Sequence, residues 1–224
     1  MKEITSWGIQ NNCIDRIEVL TFVDNGTSIK WMKEAGAKVQ NLLTKGSLNH
    51  LNFQLKQKPE EHFNNIKNSV ECALNEGFKT NVYLEDWSNG MVNSQDYVFR
   101  YLDFISRQPV NRILLPDTLG ILTPDKTSEY INTIINRYPN LHFDFHGHND
   151  YDLGVSNTLE AVKNGIKGIH LTINGLGERA GNVALESTVA AINDFIPNIK
   201  VNIKENSLYK VSQLVSTFTG HRIP

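Results

Sequence analysis

The sequence is poor in the features that mark secreted, membrane-bound and nucleic-acid-binding proteins. It has two cysteines in 224 residues, Cys13 and Cys72, and they form no Cys-x-x-Cys pair, so we expect reduced thiols in a cytoplasmic protein. No apolar run approaches the ~20 residues of a membrane span, and the N-terminus has no signal-peptide core. The 22 basic and 24 acidic residues give a net charge of −2, which argues against nucleic acid or a membrane surface as a partner.

What the sequence does contain is an alternation of strand-like and helix-like segments. Apolar, β-branched runs predict six strands, at residues 17–23, 37–43, 78–85, 112–118, 141–148 and 168–174. Helical spacing of apolar residues between them indicates a parallel sheet with helices outside. Several strands keep a polar face, whereas a doubly wound sheet would be apolar on both faces. We therefore predict an α/β fold of the (β/α)8 TIM-barrel type.

The predicted barrel is incomplete in this chain. Eight strands and ~250 residues are typical of such a barrel, whereas six strands are predicted here and the chain begins on a helix. We expect residues 1–224 to be one fragment of a catalytic barrel domain from which the first βα units are missing.

The stretch Phe145–Asp150 carries the strongest chemical signal. Alternation along the preceding strand places His142, Asp144, His146 and His148 on one face, with the aromatic residues on the other. Two histidines at i and i+2 have Cβ atoms roughly 7 Å apart, so both can reach one metal ion. The pattern favours a metal site at a strand end. The alternative is a hydrogen-bonded pair that caps the next helix.

Other polar side chains follow the predicted strand ends, where active sites of βα barrels lie. Any one of them alone would more often be a helix cap or a solvated loop residue, and their convergence on one rim is what favours an active site. These residues are Lys45, Glu85, Asp117, Thr118, Thr172 and Asn174. The glycine-rich run 175–182 matches neither a dinucleotide fingerprint nor a Walker loop. It permits a tight turn that brings Asn182 over the barrel mouth, or it is an ordinary βα loop.

Three motifs in order resemble the family of 2-isopropylmalate, citramalate and homocitrate synthases, which are relatives of HMG-CoA lyase. They are Leu-Pro-Asp-Thr-Leu-Gly at 115–120, His-Gly-His-Asn-Asp at 146–150 and Asn-Gly-Leu-Gly-Glu-Arg-Ala-Gly-Asn at 174–182. The resemblance spans nearly the whole chain. The strand Asn-Val-Tyr-Leu-Glu-Asp-Trp at 81–87 is most similar to citramalate synthases, and the cysteine-bearing glycine loop of the lyases is absent.

The resemblance implies a divalent metal, Mg²⁺, Mn²⁺ or Zn²⁺, and acetyl-CoA as co-substrate. His146 and His148 match two metal ligands and Asn182 a third. The fourth is an aspartate in an Arg-Asp-Gly-Glu motif that this sequence lacks. The family's regions after the barrel, which complete the acyl-CoA site and carry feedback regulation, are also missing. The family is dimeric, so we expect a homodimer of the complete protein.

The resemblance also implies the reaction, a Claisen condensation of acetyl-CoA with a 2-oxo acid in branched-chain amino-acid biosynthesis, leading to isoleucine or leucine. Glu85 matches the acid/base carboxylate, and Thr118 matches the residue that hydrogen-bonds the substrate carboxylate. Thr172, on the same predicted rim, is a further candidate for substrate binding.

Side-chain size gives a hypothesis about the 2-oxo acid. Leu20, Leu43 and Tyr83 are expected to point towards its side chain, where bulky groups leave room for a methyl more readily than for an isopropyl. Discrimination of one or two methyl groups is worth ~1–3 kcal/mol. This favours pyruvate, and hence citramalate, with 2-oxoisovalerate next.

Two alternatives remain open from the sequence. One is an aldol-cleaving lyase of the HMG-CoA lyase type on the same barrel. The other is a truncated barrel without catalytic activity, because missing strands leave unpaired edges and one metal ligand is absent. For the isolated fragment we expect little or no activity.

Overall fold

The computed structural model describes residues 1–220, which form two compact units that divide between Pro116 and Asp117. All six predicted strands are present in the described residues, and each is followed by a helical segment. The two units are described in turn.

The first unit is a parallel sheet of successive strands with helices between them. Its strands are β1 (Glu18–Phe22), β2 (Val39–Lys45), β3 (Lys79–Glu85) and β4 (Arg112–Asp117), the last of which ends at the division between the units. Its helices are α1 (Lys2–Gln10), α2 (Thr27–Ala35), α3 (Leu48–His50), α4 (Pro59–Asn75), α5 (Trp87–Asn93) and α6 (Gln95–Ile105).

Local chemistry explains the helix boundaries in this unit. Gly36 ends α2 in the left-handed conformation, with φ 76°, and Pro59 occupies the first turn of α4, where its missing N–H costs nothing. Between β2 and α4, the Ser47 side chain accepts a hydrogen bond from His50 N at the start of α3, and a π-helical turn, Leu51–Leu55, follows.

The strand register aligns a polar layer across the first unit. Asn81 lies opposite Asn41 on one side and Arg112 on the other. Its amide donates to Asn41 Oδ1 at 2.8 Å and accepts from Arg112 Nε at 3.3 Å, while Arg112 also pairs with Glu18. Asn41 and Asn81 lie two residues before Leu43 and Tyr83 on the same strands, and therefore on the same face of the sheet. This face is thus polar in the middle of the strands.

The second unit contains the parallel pair β5 (Phe143–Gly147) and β6 (Gly168–His170), with Asp144 opposite Gly168 and His146 opposite His170. The expected division of β5 into faces is confirmed for the aromatic side, because Phe143 and Phe145 are 2% and 1% exposed. The helices of this unit are α7 (Pro124–Arg137), α8 (Gly154–Lys163), α9 (Leu185–Phe195) and α10 (Glu205–Thr219).

The predicted sixth strand, 168–174, is wrong at its carboxyl end. The strand stops at His170, Thr172 forms only an isolated bridge with Ala184, and Asn174 lies in a short 3₁₀ turn with φ 57°. Asparagine tolerates this left-handed region better than other side chains do. The alternation of residues 168–174 suggested that His170, Thr172 and Asn174 share one strand face. The strand ends too early for such a shared face.

The helices were also compared with the length and hydropathy of membrane-spanning segments. None of the helices in residues 1–220 combines the length and hydropathy that a bilayer span requires.

A buried histidine in the first unit predicts a pH dependence of stability. His62 is fully buried, its Nε2 accepts the Lys45 N–H at 3.2 Å, and burial, with a smaller contribution from Lys45, lowers its pKa to about 4. The unfolded chain therefore binds the proton more tightly than the folded chain does. Protonation of His62 therefore lowers the free energy of unfolding. The full stability is present above the ordinary pKa of 6.5, and part of it is lost as pH falls towards 4.

We expect wild-type protein to lose about 2 kcal/mol more unfolding free energy than His62→Gln between about pH 7.5 and pH 5. Glutamine keeps an acceptor for Lys45 N–H but does not titrate. Urea unfolding of both proteins at the two pH values measures the difference, and parallel losses in the two proteins would contradict the assignment.

Candidate functional site

The carboxyl end of β5 brings two imidazoles together. The Nε2 atoms of His146 and His148 are 3.4 Å apart, and the two rings meet edge to face with centroids 5.2 Å apart. His146 lies within β5, whereas His148 follows its last residue. Two of the four polar side chains expected on one face of this strand, those of His146 and His148, therefore meet at its end.

Asn182 reaches this end of β5 through backbone pairing. It forms an isolated antiparallel bridge with His148, and the flanking residues add hydrogen bonds from Asn149 N to Gly181 O at 3.0 Å and from Val183 N to Gly147 O at 3.3 Å. The glycine-rich run thus turns back and places Asn182 beside His148, as the sequence suggested.

The glycine-rich turn also fixes the orientation of the Asn182 amide. Its Nδ2 donates to Leu176 O at 3.3 Å, and its Oδ1 is buried with no hydrogen-bond partner among residues 1–220. Gly177 lies so close that an added Cβ would be 2.6 Å from Asn182 Nδ2. Only glycine permits this approach, which leaves the amide oxygen available for a ligand.

These atoms suit a divalent cation. Two nitrogen ligands about 2.1 Å from a tetrahedral ion are about 3.4 Å apart, close to the Nε2 separation of His146 and His148. The buried Oδ1 of Asn182 supplies an oxygen donor without a competing partner among the described residues. Within residues 1–220, no group of three or more His, Cys, Asp or Glu side chains is arranged to hold a metal. The candidate set is therefore two imidazoles and one amide.

Both imidazoles are held in their neutral form. Burial, followed by the neighbouring His170 and His148, lowers the pKa of His146 to about 3. Burial and the positive charge of Arg179 lower the pKa of His148. A neutral imidazole has a free lone pair, so protons do not compete for these nitrogens near pH 7.

A buried carboxylate lies on β5 before this pair. Asp144 is fully buried, and its two oxygens contact His142 Nε2 at 2.9 Å and His170 Nε2 at 3.2 Å. Gly168 leaves the space for this carboxylate, because a Cβ there would be 2.2 Å from Asp144 Oδ1. His170 meets the His146 ring edge to face, with centroids 5.9 Å apart.

An arginine ties three loops of the second unit together. Arg179 donates to both oxygens of Asp150, at 2.7 and 2.8 Å, and to Thr118 O at 2.8 Å. Its guanidinium lowers the pKa of Asp150. The Asp117 carboxylate accepts the backbone N–H groups of residues 121 and 122. Thr118, a predicted substrate-binding residue, is thereby anchored to the loop that carries Asn182.

Thr172 lies where the chain leaves β6. Its N–H donates to Val183 O at 3.1 Å, and its Oγ1 is buried without a hydrogen-bond partner within residues 1–220. It therefore stays close to the Asn182 segment although the strand ends earlier than expected.

In the first unit, Glu85 ends β3 opposite Lys45 of β2, and the two side chains form an ion pair that is 22% and 13% exposed. His50 lies between two carboxylates, 3.9 Å from Glu85 Oε1 and 3.5 Å from Asp86 Oδ2. The sequence placed Lys45 and Glu85 at strand ends but gave no signal for His50, because its partners Glu85 and Asp86 are distant from it in the sequence.

The register separates the three residues expected to contact the 2-oxo acid side chain. Leu43 lies opposite Tyr83, but its partner on β1 is Phe22, whereas Leu20 lies opposite Asn41, two residues nearer the amino end. Phe22, Leu43 and Tyr83 are thus register partners on three neighbouring strands, and Leu20 lies one layer, or two residues, nearer the amino ends than these three. Phe22, Leu43 and His62 line a pocket of about 190 Å³.

Comparison with known proteins places the chain in a family. The sequence profile of the HMGL-like family matches residues 9–215. A probable 2-isopropylmalate synthase of Ignicoccus hospitalis is 33% identical over 175 residues, covering 78% of this chain and 43% of that protein. A homocitrate synthase of Saccharolobus islandicus is 37% identical over 78% of this chain and 37% of that protein. The chain belongs to the HMGL-like family.

Two further comparisons concern the length of the chain and its fold. The chain spans about half the length, or less, of the curated relatives it matches. The solved HMG-CoA lyase of Bacillus subtilis superposes with a TM-score of 0.79 at 19% identity, over 92% of this chain and 71% of that one. This likeness confirms the predicted TIM-barrel fold, of which six strands are present in the described residues.

The close approach of Gly177 to Asn182 predicts a mutational effect. Gly177→Ala places a Cβ 2.6 Å from Asn182 Nδ2 and 2.8 Å from its backbone N, so the loop must move. We expect Mn²⁺ affinity to fall at least tenfold, the size typical of disturbed ligand support. Titration of free Mn²⁺ by electron paramagnetic resonance measures it.

Gly46→Ala is the matched control. Its added Cβ would be 2.5 Å from Leu84 O in the first unit, a comparable clash that touches none of the three candidate ligands. Equal loss of Mn²⁺ affinity in the two variants would show a general effect of destabilisation and would argue against the role of Gly177.

Proposed function

We propose that this chain is the metal-binding barrel part of a synthase that condenses acetyl-CoA with a 2-oxo acid. The observation that carries the proposal is the convergence of His146 Nε2 and His148 Nε2 to 3.4 Å, with Asn182 bridged to His148. Curated relatives named 2-isopropylmalate synthase and homocitrate synthase, at 33% and 36% identity, support the reaction class.

His146, His148 and Asn182 would hold a divalent cation through two ring nitrogens and one amide oxygen. When bound, such an ion acts as a Lewis acid towards the keto group of the 2-oxo acid. The protein prepares these ligands in two ways. Burial keeps His146 and His148 deprotonated, and the hydrogen bond to Leu176 O orients the Asn182 amide.

Glu85 would serve as the acid/base of the condensation. Its carboxylate stands at the last residue of β3, partly exposed, and is held in place by an ion pair with Lys45. In the proposed reaction the acetyl methyl loses a proton to this carboxylate, and a carbon–carbon bond forms to the keto carbon. The keto oxygen takes up a proton, which the carboxylic acid form of Glu85 can return, and becomes a hydroxyl. Water then cleaves the thioester, which leaves a carboxylate on the product and releases CoA as a free thiol.

Thr118 and Thr172 would bind the 2-oxo acid carboxylate and its neighbouring oxygens. Arg179 holds the Thr118 carbonyl at 2.8 Å, and the Thr172 Oγ1 is buried without a hydrogen-bond partner in residues 1–220. A substrate oxygen would satisfy a buried hydroxyl that otherwise costs ~1–3 kcal/mol.

Within the class, we propose pyruvate as the favoured 2-oxo acid, giving citramalate, with 2-oxoisovalerate next. The support is the size of Leu43 and Tyr83, which are register partners on β2 and β3, with Phe22 beside Leu43 on β1. Leu20 contributes less in this proposal, because it lies one layer towards the amino ends. The relatives' names, 2-isopropylmalate and homocitrate synthase, do not single out citramalate.

The assay is thiol release from acetyl-CoA by the full-length protein with Mn²⁺ present. We expect release with a 2-oxo acid, its abolition by a chelator, and a loss of at least 100-fold in kcat for Glu85→Gln. The control is Glu129→Gln, which removes an exposed surface ion pair with Lys126. Absence of release with any 2-oxo acid, together with cleavage of 3-hydroxy-3-methylglutaryl-CoA, would move the protein to the lyase class.

The selectivity proposal has its own test. We expect Tyr83→Ala to lower the preference for pyruvate over 2-oxoisovalerate by about 10- to 100-fold, the range that one or two methyl groups provide. Leu20→Ala, one register layer away, should change it by less than Tyr83→Ala does. Steady-state kcat/KM with both substrates measures the ratio. An unchanged ratio in Tyr83→Ala would remove the size argument.

A further inference from the structure

The last helix contacts the turn that begins the glycine-rich run. Ser212 is the buried residue of α10, at 3% exposure, and it faces Asn174, also 3% exposed. Asn174 Nδ2 donates to Ser212 O at 2.9 Å, and Ser212 Oγ donates to Asn174 Oδ1. Both ends of the Asn174 amide therefore have partners on α10.

A second contact holds the Asn174 backbone. Its φ of 57° and ψ of 19° are left-handed, and its N–H donates to the two oxygens of Glu186 at 3.2 and 3.1 Å. A left-handed non-glycine residue costs free energy, so such a conformation persists only when its surroundings hold it. Glu186 on α9 and Ser212 on α10 provide those contacts.

The residues after Asn174 in turn hold Asn182. Gly175 O accepts the Asn182 N–H at 3.0 Å, and Leu176 O accepts its Nδ2 at 3.3 Å. The same backbone segment therefore fixes both the position of Asn182 and the direction of its amide. Ser212 is therefore connected to Asn182 in three steps: hydrogen bonds from Ser212 to Asn174, the backbone of residues 174–176, and hydrogen bonds from residues 175–176 to Asn182.

From this series we infer that Ser212 is a positioning residue for the Asn182 amide oxygen. The inference rests on the proposed metal role of Asn182, and it adds a residue of α10 that the family motifs do not include. Ser212 lies 30 positions after Asn182 in the sequence, touches neither histidine in any contact found among the described residues, and acts only through Asn174.

The experiment compares Ser212→Ala with Thr217→Ala. The first removes the donor to Asn174 Oδ1. The second removes an exposed hydroxyl on the same helix whose one hydrogen bond within residues 1–220 is to Gln213 O. Mn²⁺ affinity, measured by paramagnetic resonance of the free ion, should fall about tenfold in Ser212→Ala and stay unchanged in Thr217→Ala. Ser212→Thr, which keeps the hydroxyl, should restore most of the affinity.

Hydrogen exchange gives a readout that needs no metal. We expect the Asn182 amide, bonded to Gly175 O, to exchange faster in Ser212→Ala than in wild type, while amides of β2 and β3 keep their rates. Faster exchange everywhere, with unchanged Mn²⁺ affinity, would mean that Ser212 only stabilises the fold and would overturn the inference.

The two proposals fail in different ways. If wild-type protein does not bind Mn²⁺, the proposed metal function falls, and the exchange rate of Asn182 still decides whether Ser212 holds the loop. If wild type binds Mn²⁺ and Ser212→Ala binds it equally, with Asn182 exchange unchanged, the metal proposal stands and the role of Ser212 is refuted.

Discussion

The antiparallel bridge between His148 and Asn182 is the contact on which the candidate site depends. It joins the end of β5 to a segment 34 residues later in the chain, after a helix, a strand and a glycine-rich turn. Without it, a metal would have two imidazoles and no amide oxygen. The surrounding features support this one pairing: Gly177 permits the close approach, and Asn174 holds the turn between Glu186 and Ser212.

Burial keeps the two imidazoles at this bridge in their neutral form. His146 and His148 have pKa values below the ordinary range because they are buried and have positively charged or imidazole neighbours. Asp144 contacts His142 and His170 in the layer before them. Because both imidazoles are neutral, protons do not compete with a cation for the ring nitrogens, which is what the proposed metal role of this pair requires.

Short-range patterns predicted more of this protein than long-range ones did. The alternation in β5 correctly placed Phe143 and Phe145 in the core, and the glycines at 175, 177 and 181 correctly indicated a tight turn. The continuation of β6 to Asn174 failed because the tertiary contacts with Glu186 and Ser212 override the alternation. That Phe22 and not Leu20 lies opposite Leu43 carried no local signal, since strand register depends on the neighbouring strand. His50 and Ser212 carried no signal, as their roles come only from partners that are distant in sequence. The metal role of the two histidines came from their spacing at a strand end, and that of Asn182 and the main substrate roles came from the family motifs; all of them stay proposals.

X-ray absorption at the metal edge of the Zn²⁺- or Mn²⁺-loaded protein shows whether His146 and His148 hold the ion. We expect multiple-scattering features of two imidazoles per metal in wild type, of one in His148→Ala, and of two with lower affinity in Asn182→Ala. A spectrum without histidine ligands, or one unchanged by His148→Ala, would contradict the assignment of the metal to this site.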